Sequence, residues 1–219
     1  TAASLLSDNT TVRGVFLGAS TVTLSASVDL EISTGLVFDA GTSNIVLTAG
    51  VPTFNGGGQT FSRVTAGPLS AGPAMIISGE NTFLDLTFTA PGGSGSVANV
   101  AIYDDQTVTR NFAVTSGTAV RRVYVKGAAT GDPVIGITRT ITVGTALSVN
   151  NTEFQDITIA GSPSGTSPLR AGDCGGNSGI TFPAPKTVYW NLAGTQLWTA
   201  TAWATSSGGA PSINNFPLS

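Results

Sequence analysis

The sequence predicts an all-β protein built as a parallel β-solenoid, β-helix-like, with a Trp-rich C-terminal unit. Three observations carry that prediction: period-two alternation along most of the chain, frequent Gly- and Pro-rich turns, and aromatic residues that recur about every 21 positions. Alternation is clear in Thr21–Ser25 (TVTLS), Asn44–Thr48 (NIVLT), Asp85–Thr89 (DLTFT) and Thr138–Val143 (TRTITV), each with apolar and polar residues facing opposite sides of an extended strand. Turn clusters punctuate these runs at Asn55–Gly58 (NGGG), Pro91–Ser96 (PGGSGS), Ala160–Gly165 (AGSPSG) and Gly175–Gly179 (GGNSG). No amphipathic helix of twelve or more residues is legible.

The aromatic series is Phe16, Phe38, Phe61, Phe83, Tyr103 and Tyr124, at intervals of 22, 23, 22, 20 and 21. These six form the expected structural ladder, with Phe38, Phe61 and Phe83 on equivalent inward positions. A shorter motif recurs as well: Gln59–Thr65 (QTFSRVT), Asn81–Thr87 (NTFLDLT) and Asn151–Thr158 (NTEFQDIT), the last with one inserted residue. One coil of a solenoid cannot bury its own apolar face, so coils stack and like residues pile into ladders. Tandem β-sandwiches are the alternative, because turns every 8–12 residues suit them equally.

Composition agrees with an ordered β protein. Hydrophobic residues make up 41% and charged residues 10%, against about 25% in ordinary domains. The polar surface must therefore come from Thr, Ser, Asn and Gly. The net charge of −3 and the lack of a basic stripe argue against nucleic acid. The Arg121, Arg122 and Lys126 patch reads as a solvated strand face. The stretch after Lys186 is uncharged but rich in Thr, Ser, Gly, Asn and Pro, so no membrane insertion is expected. A single cysteine, Cys174, excludes an intrachain disulfide. No signal peptide opens the chain and its first residue is Thr, so a processed chain or a segment of something longer is expected.

Three regions are expected. Residues 1–161 form the repetitive solenoid. Residues 162–186 form a linker in which Pro163, Pro168, Pro183 and Pro185 crowd around Cys174. Residues 187–219 hold all three Trp and form a capping or next-module segment.

The segments Gly35–Thr48 (GLVFDAGTSNIVLT) and Pro52–Phe61 (PTFNGGGQTF) resemble repetitive β-helical fibre and surface proteins of marine tailed phages. The tail Tyr189–Trp203 (YWNLAGTQLWTATAW), with Gly208–Pro211 (GGAP), is similar to a Trp-rich unit that also occurs in bacterial autotransporter passengers and large adhesins. The resemblance implies a structural protein on a virion or extracellular surface. Its expected partners are further copies of itself or other fibre and virion subunits, with cell-surface carbohydrate beside them. A bacterial adhesin or filament subunit is the alternative. The resemblance supplies no catalytic residues.

The residues themselves point away from catalysis. There is no histidine, which removes Ser-His-Asp and Cys-His arrangements and histidine-ligated metals. Asp173–Gly179 (DCGGNSG) looks like a nucleophile loop, but no base is present to activate its serine, and it reads as a turn. A β-helical polysaccharide lyase or depolymerase is the enzymatic alternative. It would have to assemble Asp104, Asp105, Asp132 and Arg122 on neighbouring coils. No cofactor, metal or catalytic site is expected. Tyr189, Trp190, Trp198 and Trp203 are the candidate interface or carbohydrate-stacking residues, since amphipathic rings dominate such surfaces.

Overall fold

In the computed structural model, which describes residues 5–7, 13–30, 36–48, 52–72, 74–92 and 97–217, the alternating segments become strands that wind as stacked coils. The first coil holds β1 (Leu5–Ser7), β2 (Arg13–Phe16) and β3 (Thr21–Leu24), and the second β4 (Val28–Leu30), β5 (Leu36–Asp39) and β6 (Asn44–Leu47). The next three coils have two strands each: β7 (Thr53–Asn55) with β8 (Thr60–Ala66), β9 (Met75–Ser78) with β10 (Thr82–Thr89), and β11 (Val97–Ile102) with β12 (Gln106–Thr115). The sixth runs through β13 (Arg122–Ala129), β14 (Asp132–Gly136), β15 (Arg139–Val143) and β16 (Ala146–Val149). The seventh holds β17 (Thr152–Gln155) and β18 (Ile157–Gly161), and the last begins with β19 (Gly172–Asp173). Beyond it lie β20 (Tyr189–Trp190), β21 (Trp203–Ala204) and a 3₁₀ turn, Ile213–Asn215.

Two large sheets result. One runs in the order β1-β4-β7-β9-β11-β13-β17-β19, and the other in the order β18-β15-β12-β10-β8-β6-β3, with β16 also on β12. All pairs along both orders are parallel; among the described strand pairs only the β13–β14 hairpin and β20–β21 run antiparallel. Sandwiches of hairpin-linked strands would give the reverse pattern. The fold is therefore the expected parallel solenoid, and the tandem-sandwich alternative is overturned.

A single core fills the space between the sheets, from Leu24 to Ala171. It is built of ladders. Ile45, Val64, Leu86 and Phe112 stand in register on successive coils, as do Leu47, Ala66, Phe88 and Val114. On the facing sheet Val28, Phe54, Ile77 and Ile102 form a similar column. Turns stack too: the Thr42 amide donates to the Gly18 carbonyl oxygen at 2.7 Å. Gly18 and Gly41 both have positive φ, and a Cβ on Gly41 would lie 2.4 Å from that oxygen, so the corner excludes side chains on two counts.

The aromatic ladder is partly as expected. Phe61 and Phe83 are in register, fully buried and stacked at 5.6 Å with planes 24° apart. Phe38 meets Phe61 at 5.0 Å, though from β5, which pairs with β2 in a small side sheet. The other three members depart from the expectation. Val15, not Phe16, stands opposite Phe38; the coil offset is 23 residues there, while the Phe16–Phe38 interval is 22. A slip of one residue moves a side chain to the opposite face, and Phe16 is 70% exposed. Tyr103 lies outside the main core, in a small cluster with Ala101 and Ala128. Tyr124 sits between the inward Val123 and Val125 and turns outward, donating its hydroxyl to Gln155 Oε1. The series also passed over Phe54, Phe88, Phe112 and Phe154, which are all fully buried.

Coil length is not constant. In the second sheet the register steps by 19 from Asn44 to Arg63, by 22 from Thr60 to Thr82, and by 35 from Gln106 to Ile141, where the β13–β14 hairpin is inserted. The three motif copies divide accordingly. The first two stack, with Thr60 on Thr82 and Phe61 on Phe83, but the third is split: its Thr152–Gln155 half lies in the opposite sheet, where Phe154 pairs with Val125, and only Ile157–Thr158 rejoins the sheet of the other two. Residues 162–186, expected as a linker, continue the stack: β19 pairs with β17, Thr158 bridges Ser178, Thr166 bridges Ile180, and Phe182 packs on the core.

Candidate functional site

The C-terminal end of the solenoid gathers the candidate binding residues. Two-residue strands β20 and β21 bring Trp190 opposite Trp203 and Tyr189 opposite Ala204. Trp203 is the hub: Trp190 meets it edge-on at 5.2 Å and Trp198 at 4.5 Å. The Trp203 indole N–H donates to the Trp198 carbonyl at 3.1 Å, and the Trp190 indole N–H to the Leu192 carbonyl at 2.8 Å. These rings pack on one another, and none of them belongs to the solenoid core cluster. Trp203 is buried, while Trp198 is 61% exposed and Tyr189 42%. Beside them Leu192 and Leu197 are also exposed, so the unit presents an apolar surface to solvent.

Between this unit and the last coil lies a cavity of about 590 Å³. Its walls are mainly apolar, from Leu169, Ala171, Phe182, Pro183, Pro185 and Pro217, and it also carries Arg170, Lys186 and Asp173. Arg170 ends a turn in which the Ala171 amide donates to the Pro168 carbonyl at 3.3 Å. Its φ is +54°, a conformation glycine ordinarily supplies at that position of a turn. Holding a side chain there costs of order 1 kcal/mol. The guanidinium is fixed from two sides, by Asn151 Oδ1 at 2.6 Å and Asn214 Oδ1 at 2.8 Å. The Lys186 ammonium donates to the Asn214 carbonyl at 3.3 Å. Burial, then the nearby charges of Arg170 and Arg122, hold the Lys186 pKa below its ordinary value.

Arg122 lies under the same turn. Its guanidinium pairs with Glu153 and donates to the Arg170 carbonyl at 2.7 Å, while its Nη1 is buried with no hydrogen-bond partner. Burial lowers its pKa, against the pull of Glu153. The surface reading of the Arg121, Arg122 and Lys126 patch is thus incorrect for Arg122, which is 3% exposed.

Arg122, the base a lyase would need, is not brought to Asp104 and Asp105. Arg122 registers with Val97 at the start of β11, whereas Asp104 and Asp105 follow its end, about 16 Å or more along the strand. The acids cap backbone amides instead: Asp104 takes Gly79, Asp105 takes Thr140 and Asp132 takes Val134, each at 2.8 Å. Among the described residues no three metal-ligating side chains converge. Cys174 is exposed.

Sequence reasoning missed the cavity and its two cations. Lys186 carried a faint signal as the last charge before an uncharged tail. Arg170 carried none, because a positive φ at arginine is invisible in composition. The chain matches no family model, no curated protein and no solved structure.

Proposed function

We propose that this chain is a non-enzymatic structural module of a virion fibre or surface appendage, acting by assembly with further copies or subunits and by attachment to a surface. The supporting observation is the continuous parallel stack. The eight strands of the longer sheet order make a stiff body roughly 34 Å long, at about 4.8 Å per rung. Its rungs are bonded coil to coil, and β1 and β3 have no described strand on their outer side. The end rungs of such a stack are continued or capped by further chain or by a neighbouring subunit. The exposed rings at the other end add a surface suited to a partner subunit or to carbohydrate.

The reading is tested by coupling microscopy to an activity panel. Negative-stain images of the purified chain should show rods or regular multi-subunit particles, and a panel of acidic and neutral polysaccharides should yield no new reducing ends or unsaturated products. Product release that disappears in Asp105→Ala or Arg122→Ala would replace this reading with the lyase.

A further inference from the structure

We infer that the cavity between the last coil and the Trp-rich unit binds an acidic sugar residue, with Arg170 and Lys186 receiving its anionic group and Phe182 with its flanking prolines receiving the ring. The inference rests on the attachment role proposed above and gives it a ligand class. At about 590 Å³ the cavity falls in the range of small-ligand sites, which are mostly apolar with a few convergent polar groups. Phe182 is tied to the core through Phe154 at 6.5 Å, so the apolar wall is anchored to the solenoid.

The cations are placed rather than merely present. Arg170 occupies a backbone conformation that favours glycine, and two asparagines on different segments fix its guanidinium. Strain that surrounding structure maintains in this way concentrates at ligand sites. Among the described residues no carboxylate lies within ion-pair distance of Arg170 or Lys186. Asp173 shares the cavity wall, but its Oδ1 already accepts from the Gly175 amide at 2.9 Å and Asn177 Nδ2 at 2.7 Å. With Arg122 beneath them the two cations repel one another, and this repulsion contributes to the depressed pKa of Lys186. An entering anion would relieve it.

A carboxylate or sulfate matches guanidinium geometry, and the C–H face of a pyranose matches phenylalanine and proline rings. A small free anion would leave the apolar walls bare.

Calorimetric titration of the whole chain with trigalacturonate, a sulfated galactotriose and neutral galactotriose tests the site. The expected result is binding of one or both anionic probes, weakened as salt rises, with the neutral probe at least about tenfold weaker. Carboxylate and sulfate sources are distinguished by which probe binds more tightly. Lys186→Gln should weaken binding about tenfold, and Arg170→Gly, which suits the turn, should abolish it with the circular dichroism spectrum retained. Lys126→Gln should change nothing. No binding of either anionic probe at about 10 mM, equal binding of the neutral probe, or full affinity in both Lys186→Gln and Arg170→Gly would overturn the inference. A chain that binds as a free monomer would retain this site and lose the fibre reading; one that assembles without binding would do the reverse.

Discussion

Asp85 stands between two arginines on adjacent rungs, Arg63 at 3.2 Å on one side and Arg110 on the other. Its carboxyl is held below its ordinary pKa of 3.8, chiefly by the Arg110 hydrogen bond, with Arg63 adding to it against a burial penalty. Because the folded pKa lies below the unfolded one, the stabilisation is complete above the unfolded value and is lost as pH falls through the folded one. The arginines are about half exposed, so screening keeps the contribution small. Asp85→Asn should cost about 0.5–1 kcal/mol at neutral pH, and urea midpoints of the two proteins should converge in strong acid. The aromatics make the opposite contrast of magnitude. Phe83→Ala opens a void among Phe54, Phe61 and the ladder and should cost about 3–5 kcal/mol, whereas Phe16→Ala, on an exposed ring, should stay within about 0.5 kcal/mol. Paired denaturation curves decide it; equal losses would mean the register at β2–β5 is misassigned. Phe61 and Phe83 could be found in sequence because both follow an amide-Thr pair; Phe16 could not be rejected, since the interval errs by one residue and one residue is a whole face.

At the scale of the coil, corners do as much as strands to set the register. Asn81 is buried at the β9–β10 corner, where its Oδ1 accepts from the Gly58 amide and its Nδ2 donates to Ser78 and Gly79 carbonyls and to Gln106 Oε1 of the next coil. Gln106 in turn donates to Gly79 and Asp104 carbonyls at 2.7 Å. Asn81→Ala would strand these groups away from water, at about 1–3 kcal/mol each left unmade. Unfolding of Asn81→Ala and Gln106→Ala, alone and together, should show strong coupling through a double-mutant cycle; additive effects would refute a shared corner network. Gly41→Ala should also lose more than about 1 kcal/mol in the same assay, since it meets both a positive φ and the Gly18 oxygen. The motif's leading amide was visible in sequence, and its stacked-corner role follows where copies align. The third copy misled because Asn151–Phe154 repeats the residue types but enters the opposite sheet after the β13–β14 insertion, and periodicity does not say which sheet a strand joins. The parallel class was legible because aromatics and the amide-Thr-aromatic motif recurred about once per coil; the varying coil length was not, because loops of 18 to 35 residues per step close with little difference in entropy.

For the whole molecule, the proposed work in an assembly rests on the continuous parallel stack and on the exposed apolar rings of the Trp-rich unit. Only 10% of residues carry charge, little to keep such surfaces apart. Val134 and Ile135 on the β13–β14 hairpin are more than half exposed and add to the uncovered apolar surface. Multi-angle light scattering of the purified chain over a range of concentration is the direct measurement. The account predicts a mass that is a multiple of the 22.0 kDa chain and falls when Trp198→Ser removes the exposed ring. A stable 22.0 kDa monomer at high concentration, unchanged by Trp198→Ser, would contradict it.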